Sequence, residues 1–262
     1  MPLHARSWGS RAAPAVVCVH GIGQHGGIFS ELGERLATAG FRVVAVDLRG
    51  HGESDRKPPW SLATHVSDLL ETTASLGIEG PTWIGHSFGG RVIAELAVTA
   101  PEHAERLILL DPGLEVDPAH ALKSAEMDRL DWSFATPEGA VNALLSSDTV
   151  VAAPREAVAA YIADDVVRGT DGRYRFRHSP AAAVAAWGES ALPAPAIAQL
   201  PTLLVRPVAS PVLNPSQDSR YRAALGSELT MVAVPHGHNV LWESPAETIG
   251  AIEAFLAKTA AG

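Results

Sequence analysis

Thr82-Trp83-Ile84-Gly85-His86-Ser87-Phe88-Gly89-Gly90 is the stretch on which the fold turns. Thr82–His86 reads as a buried strand, and Phe88–Thr99, closed before Pro101, as a helix. A serine stands at the junction with glycines on both sides. The spacing G-x-S-x-G is a weak signal alone and becomes specific when a strand runs into it and a helix runs out of it. A serine in so sharp a turn carries its hydroxyl above the sheet, and its small neighbours let other backbone approach. It also sits at a helix N-terminus, whose amides favour developing negative charge. Ser87 is therefore the candidate nucleophile, the plainer alternative being a serine that only caps the helix. No G-x-G-x-x-G opens a helix here, so a dinucleotide site is not expected.

Outward from this turn the same rhythm recurs. Val16–Val19, Arg42–Asp47, Arg106–Asp111, Thr202–Arg206 and Leu229–Val234 read as further buried parallel strands. Phe29–Ala39, ended by Gly40, and Leu62–Leu76, opened by Ser61 and ended by Gly77, read as crossover helices. Ser244-Pro245-Ala246-Glu247 opens a last helix over Pro245–Ala257 with an N-cap serine, a proline at the first helical position and a capping-box glutamate. Between Asp111 and Thr202 the rhythm breaks. Ala119–Leu130, Pro137–Leu145 and Arg155–Val167 are helical in pattern, with no good buried strand among them. The expected fold is α/β: a mostly parallel twisted sheet flanked by helices, formed by residues 1–111 and 202–262, with residues 112–201 inserted as a helical cap and return linker. The cap's aromatics, Trp132, Phe134, Tyr161, Tyr174, Phe176 and Trp187, either roof a pocket or form the cap's own core.

Composition narrows the class. With 262 residues, 19% charged and 47% hydrophobic, the chain has the make-up of one globular enzyme-sized domain with an insertion. The formal net charge of −9 offers no basic surface to a phosphate backbone, so no nucleic-acid partner is expected. No apolar run reaches the length of a signal peptide or a bilayer span, and the expected location is the cytoplasm, without membrane attachment. The lone Cys18 lies in an apolar strand with nothing cationic beside it and reads as a core residue. The oligomeric state leaves no trace in the sequence.

A serine hydroxyl needs a base. His238 is the candidate, in the loop Pro235-His236-Gly237-His238-Asn239 after the last strand, with His236 as its rival. A buried carboxylate must then orient the imidazole. Asp111 ends the strand Leu107-Ile108-Leu109-Leu110 at the carboxyl edge, where open α/β sheets place their sites. After the next strand, Val205-Arg206-Pro207-Val208-Ala209-Ser210-Pro211-Val212 holds no carboxylate until Asp218, inside a helix that starts near Pro215. Both aspartates remain candidates on these grounds. The oxyanion donors expected are the Ile22 N–H in His20-Gly21-Ile22-Gly23 and the Phe88 N–H beside the nucleophile. His20 reads as a residue that holds its loop, and Asp47-Leu48-Arg49-Gly50-His51-Gly52-Glu53-Ser54 as loop-fixing, because its His and acids lack a familiar metal-ligand spacing. Neither a metal nor a cofactor is expected.

From about Trp8 onward the chain resembles the α/β-hydrolase superfamily. His20-Gly21 resembles its oxyanion loop, Asp47–Ser54 the loop after its next strand, and Gly85–Gly90 its nucleophile turn. Gly237-His238 followed by Glu243-Ser244-Pro245 resembles its terminal histidine loop, which favours His238 over His236. Many members carry their acid in a Gly-x-x-Asp-Pro-Val-like segment, which Ser210-Pro211-Val212 occupies here, and some take it from the preceding strand end. The resemblance thus raises Asp111 above Asp218. It implies hydrolysis of a small or medium carboxylic ester or lactone through an acyl-enzyme. Perhydrolase, cofactor-free haloperoxidase, carbon–carbon hydrolase or cyanohydrin-lyase chemistry on the same machinery, or a ligand-binding receptor that no longer turns over, are the alternatives.

Overall fold

A computed structural model describes residues 2–130, 132–147, 150, 152–210, 212 and 215–259. From the amino terminus the chain lays down β1 (Ala5–Trp8), β2 (Ala15–Val19), α1 (Ser30–Thr38), β3 (Arg42–Val46), α2 (Leu62–Ser75), β4 (Thr82–His86), α3 (Phe88–Thr99) and β5 (Arg106–Leu110). It then leaves the sheet through α4 (Pro118–Asp128), β6 (Ser133–Phe134), α5 (Pro137–Leu145), α6 (Arg155–Asp165), β7 (Val166–Arg168), β8 (Tyr174–Phe176) and α7 (Pro180–Ser190). It returns as β9 (Thr202–Pro207), α8 (Pro215–Leu225), β10 (Leu229–Val234), α9 (Val240–Glu243) and α10 (Pro245–Thr259). The main sheet has the order β1-β3-β2-β4-β5-β9-β10. Every pairing in it is parallel except that of β1 with β3.

Side chains alternate across the pleat, which explains why these strands are apolar on both faces. On one face Val16, Cys18, Val43, Ala45, Ile84, Ile108, Leu110, Leu203 and Val205 pack with α1 and α10 through Leu32, Leu36, Ile252 and Phe255. On the other, Val17, Val19, Val44, Trp83, Leu107, Leu109 and Leu204 pack with α2, α3 and α8 through Leu69, Ile93, Leu96 and Tyr221. Cys18 is buried, and burial pushes its thiol pKa up, as expected of a core residue. Helix α2 is capped as its sequence predicts, Ser61 Oγ accepting from Thr64 N at 3.3 Å. At α10 the serine acts differently: Ser244 Oγ donates to Pro235 O at 2.7 Å, tying the helix start to the loop after β10.

Several elements depart from the sequence reading. β1 is a short edge strand whose polar residues hide its pattern, and α7 buries only small residues, Ala182, Ala183, Ala186 and Ser190, which mark no large apolar stripe. Residues 112–201 also hold strands as well as helices, because β6, β8 and β7 form a second, antiparallel sheet. Strands of two or three residues are too short to show a period of two. Among the described residues no helix is long and apolar enough to cross a membrane.

Candidate active site

Ser87 adopts φ 53° and ψ −119°, a backbone conformation that costs on the order of 1–3 kcal/mol in a non-glycine residue. The neighbouring strand end holds it there: Ser87 N donates to Leu110 O at 3.1 Å, and Gly113 N donates to Ser87 O at 2.9 Å. The glycines are required by contact. A Cβ on Gly89 would lie 2.1 Å from Val19 O, one on Gly85 2.6 Å from Gly89 backbone, and one on Gly90 2.6 Å from Pro112 Cβ. The turn thus packs against the end of β2 on one side and the Asp111-Pro112-Gly113 corner on the other.

Asp111 is 1% exposed and itself has a left-handed backbone, φ 40°, which aspartate tolerates better than most residues. Its N–H continues the β5–β9 ladder by donating to Val205 O at 3.0 Å. Its Oδ2 lies 2.6 Å from His238 Nδ1. A carboxylate oxygen accepts, so the imidazole proton is on Nδ1 and Nε2 is the basic nitrogen. Asp218 stands elsewhere, paired with Arg206 at 3.2 Å. His236 is exposed, with φ 65°, and its carbonyl accepts from Ala209 N at 3.0 Å. Of the two aspartates and two histidines, the structure joins Asp111 and His238. Pro211, in the segment where a carboxylate is missing, lies outside the described residues; Ser210, beside it, donates its hydroxyl to Asp111 Oδ2 at 2.5 Å.

The loop carrying His238 is anchored by a residue that sequence reasoning treated only as part of a motif. Glu243, buried, accepts from Gly237 N at 3.0 Å through Oε2 and from Asn239 N at 3.2 Å through Oε1. A second bridge crosses the site. Gln24 Oε1 accepts from Gly21 N at 3.0 Å, and Gln24 Nε2 donates to Asn239 Oδ1 at 3.0 Å, joining the loop of Ile22 to the loop of His238. His86, at the end of β4, places Nδ1 3.0 Å from Gln24 Oε1 and Nε2 3.0 Å from the carbonyl oxygen of His238. Burial lowers its pKa to about 3, so the ring is neutral and has one proton for two acceptors. Gln24, His86 and Asn239 carry no local signal, because their partners are far away in sequence.

Ile22 sits at the tip of the turn closed by Gln24 N donating to Gly21 O at 3.3 Å, and a Cβ on Gly21 would lie 3.0 Å from Ser87 Cβ. Phe88 opens α3, where the first amides have no intrahelical acceptor. Its ring is buried, edge-on to His65 with centroids 5.5 Å apart. His20 is wholly buried and locks the loop, with Nδ1 2.7 Å from Gly21 O while Nε2 accepts from Leu48 N at 2.9 Å. Burial lowers its pKa, against the pull of Asp47.

The Asp47 loop is a knot of the same kind. Asp47 accepts from Gly26 N at 2.7 Å and Glu53 N at 3.0 Å, and bonds His4 Nδ1 at 2.7 Å. Burial opposes its charge, yet these donors hold its carboxyl below the usual range. Gly52, φ 53°, admits no side chain, since a Cβ would lie 2.2 Å from Asp47 Oδ2. Arg49 forks onto Asp68 of α2 at 2.7 and 2.6 Å. Among the described residues no group of three His, Cys, Asp or Glu side chains is arranged to hold a metal.

A parallel sheet that delivers a serine, a histidine and a carboxylate to one edge defines a class of protein, the α/β hydrolases. The chain belongs to that family: the profile of the alpha/beta hydrolase fold matches residues 14–245. It is 31% identical to Lipase LipV of Mycobacterium tuberculosis over 267 residues, 97% of each chain. It is 41% identical over 102 residues to the pimeloyl-[acyl-carrier protein] methyl ester esterase of Methylococcus capsulatus, 38% of each chain. Among solved structures, E-2-(acetamidomethylene)succinate hydrolase superposes with a TM-score of 0.86 at 22% identity, covering 97% of this chain and 95% of that one.

Proposed function

We propose that the protein is a serine hydrolase that cleaves a small or medium carboxylic ester or lactone through an acyl-enzyme, with residues 112–201 as its cap. The observation that carries this reading is the 2.6 Å bond between the buried Asp111 carboxylate and His238 Nδ1, beside a serine held in a strained turn. That bond fixes the tautomer that a base needs. Ser87 Oγ attacks the ester carbonyl as its proton passes to His238 Nε2, and the carbonyl π electrons move to oxygen. The Ile22 and Phe88 N–H groups hold the resulting oxyanion. The tetrahedral centre collapses, the alcohol leaves with the proton from His238, and Ser87 is left acylated. Water, deprotonated by His238, then attacks the acyl carbon and releases the acid. The lipase and esterase names of the relatives agree with this chemistry.

A panel of chromogenic esters of graded acyl length, with a lactone included, tests the proposal. Turnover of at least one by the wild type, and none above background by Ser87→Ala, is expected. A wild type inert to every ester and lactone would leave the ligand-binding alternative in its place.

A further inference from the structure

The segment after β9 holds no carboxylate, yet it still reaches the candidate acid. β9 is extended by Val208 N donating to Val234 O and Ala209 N donating to His236 O, both at 3.0 Å, which brings residue 210 alongside the histidine loop. Ser210 Oγ then lies 2.5 Å from Asp111 Oδ2 and 3.2 Å from Val212 N. An N–H can only donate, so Val212 fills a lone pair of the hydroxyl and directs its proton at the carboxylate. Asp111 Oδ2 therefore receives two donors, Ser210 Oγ–H and His238 Nδ1–H, in a place screened from water.

We propose that Ser210 is a positioning residue that locks the Asp111 carboxylate in line with His238 and shares its negative charge, tempering the basicity of the imidazole. The inference rests on the acyl-transfer reading above. Two donors on one oxygen constrain the carboxylate rotation more than His238 alone would, and charge drawn toward Ser210 is charge withdrawn from His238. Without the hydroxyl the carboxylate acts on the imidazole undivided and with looser geometry. Among the described residues, the other titratable groups about the ring are His86, with ring centroids 4.8 Å apart, and Glu243, which bonds the backbone on both sides of His238. His86 stays neutral, and the carboxylate of Glu243 is engaged by those two amides, so neither replaces the lost donor.

The test compares wild type, Ser210→Ala and Ser210→Thr by the pH profile of kcat/KM on the best chromogenic ester, with thermal unfolding to establish that each variant is folded. Ser210→Ala is expected to lose about tenfold in kcat and to move the acidic limb upward by half a pH unit or more. Ser210→Thr, which keeps the hydroxyl, restores the wild-type limb. A purely structural serine would lower activity without moving the limb. That outcome, or an unchanged Ser210→Ala enzyme, overturns the proposal. NMR titration of the His238 ring in the same variants reads the same shift without turnover. An inactive wild type would thus count against the ester reading, while an unshifted His238 would count against Ser210.

Discussion

The sheet and the segment that interrupts it obey different rules. In the sheet, glycines at the nucleophile turn have no space for a methyl group, the clash at Gly89 being with backbone at 2.1 Å. In residues 112–201, a methyl group added at Gly188 on α7 would meet nothing within 4 Å, and Leu122, Met127, Leu130 and Trp132 are 41–65% exposed. At the nucleophile turn backbone meets backbone, which leaves no slack. Side chains and main chain both join the segment to the sheet: Val141, Val158 and Ile162 share a buried cluster with it, Tyr161 OH accepts from His25 N at 3.0 Å, Tyr161 packs against Trp242 with centroids 5.0 Å apart, and Ser179 N donates to Gly50 O at 2.7 Å. On the function proposed above, chemistry rests on the first region and substrate choice on the second.

Substitutions in both regions sharpen that contrast. The largest effect is expected at the site itself: Asp111→Asn should lower kcat about 10³–10⁴-fold on the best ester, since an amide presents the wrong partner to Nδ1. Asp218→Asn, across the Arg206 pair, should stay within about twofold in the same assay. In the turn, Gly89→Ala should destabilise the fold by more than ~3 kcal/mol in urea unfolding, because Val19 O is main chain and has no rotamer into which to retreat.

At Asp165, buried at the end of α6 with Oδ1 3.9 Å from His25 Nε2, the expected effect depends on pH. Burial raises the Asp165 pKa to about 7, above its ordinary 3.8. Below pH 3.8 the carboxyl is protonated whether folded or unfolded and costs nothing. As pH rises toward 7 the unfolded chain releases this proton and the folded one keeps it, so stability falls by about 1 kcal/mol per pH unit and the loss is complete above 7. His25, lowered to about 4 chiefly by burial, has the opposite slope between pH 4 and 6.5 and masks this in the wild type. Asp165→Asn should therefore gain stability over wild type progressively from pH 4 to 7 and then level off, read by denaturant midpoints at each pH. The smallest change in stability is expected at Gly188→Ala, a gain of about 0.5–1 kcal/mol from helix propensity in an open position.

The same contrast explains what the sequence disclosed. Ser87, His238 and Asp111 were legible as candidates because each follows a strand with a recognisable apolar pattern and because glycines mark the turns, while the preference for His238 over His236 and for Asp111 over Asp218 came from the family resemblance. Ser210 was legible only as a missing carboxylate, its hydroxyl role depending on a partner 99 residues away. Gln24 and Asn239, 215 residues apart, left no trace, since a side-chain bond across the fold imposes no periodicity on either neighbourhood. β6, β7 and β8 failed for a related reason: they are held by pairing in a small sheet and not by an alternating buried face. Local backbone demands are written in local sequence, and contacts that depend on tertiary geometry are not.

The central claim, that Ser87 is activated by a His238 whose acid is Asp111, is tested most directly by reacting the protein with a fluorophosphonate and locating the adduct by peptide mass spectrometry. A single phosphonylated peptide carrying Ser87 is expected, with labelling slowed at least a hundredfold in Asp111→Asn and proceeding at the wild-type rate in Asp218→Asn. An adduct on another residue, or Asp218→Asn slowed as much as Asp111→Asn, would contradict it.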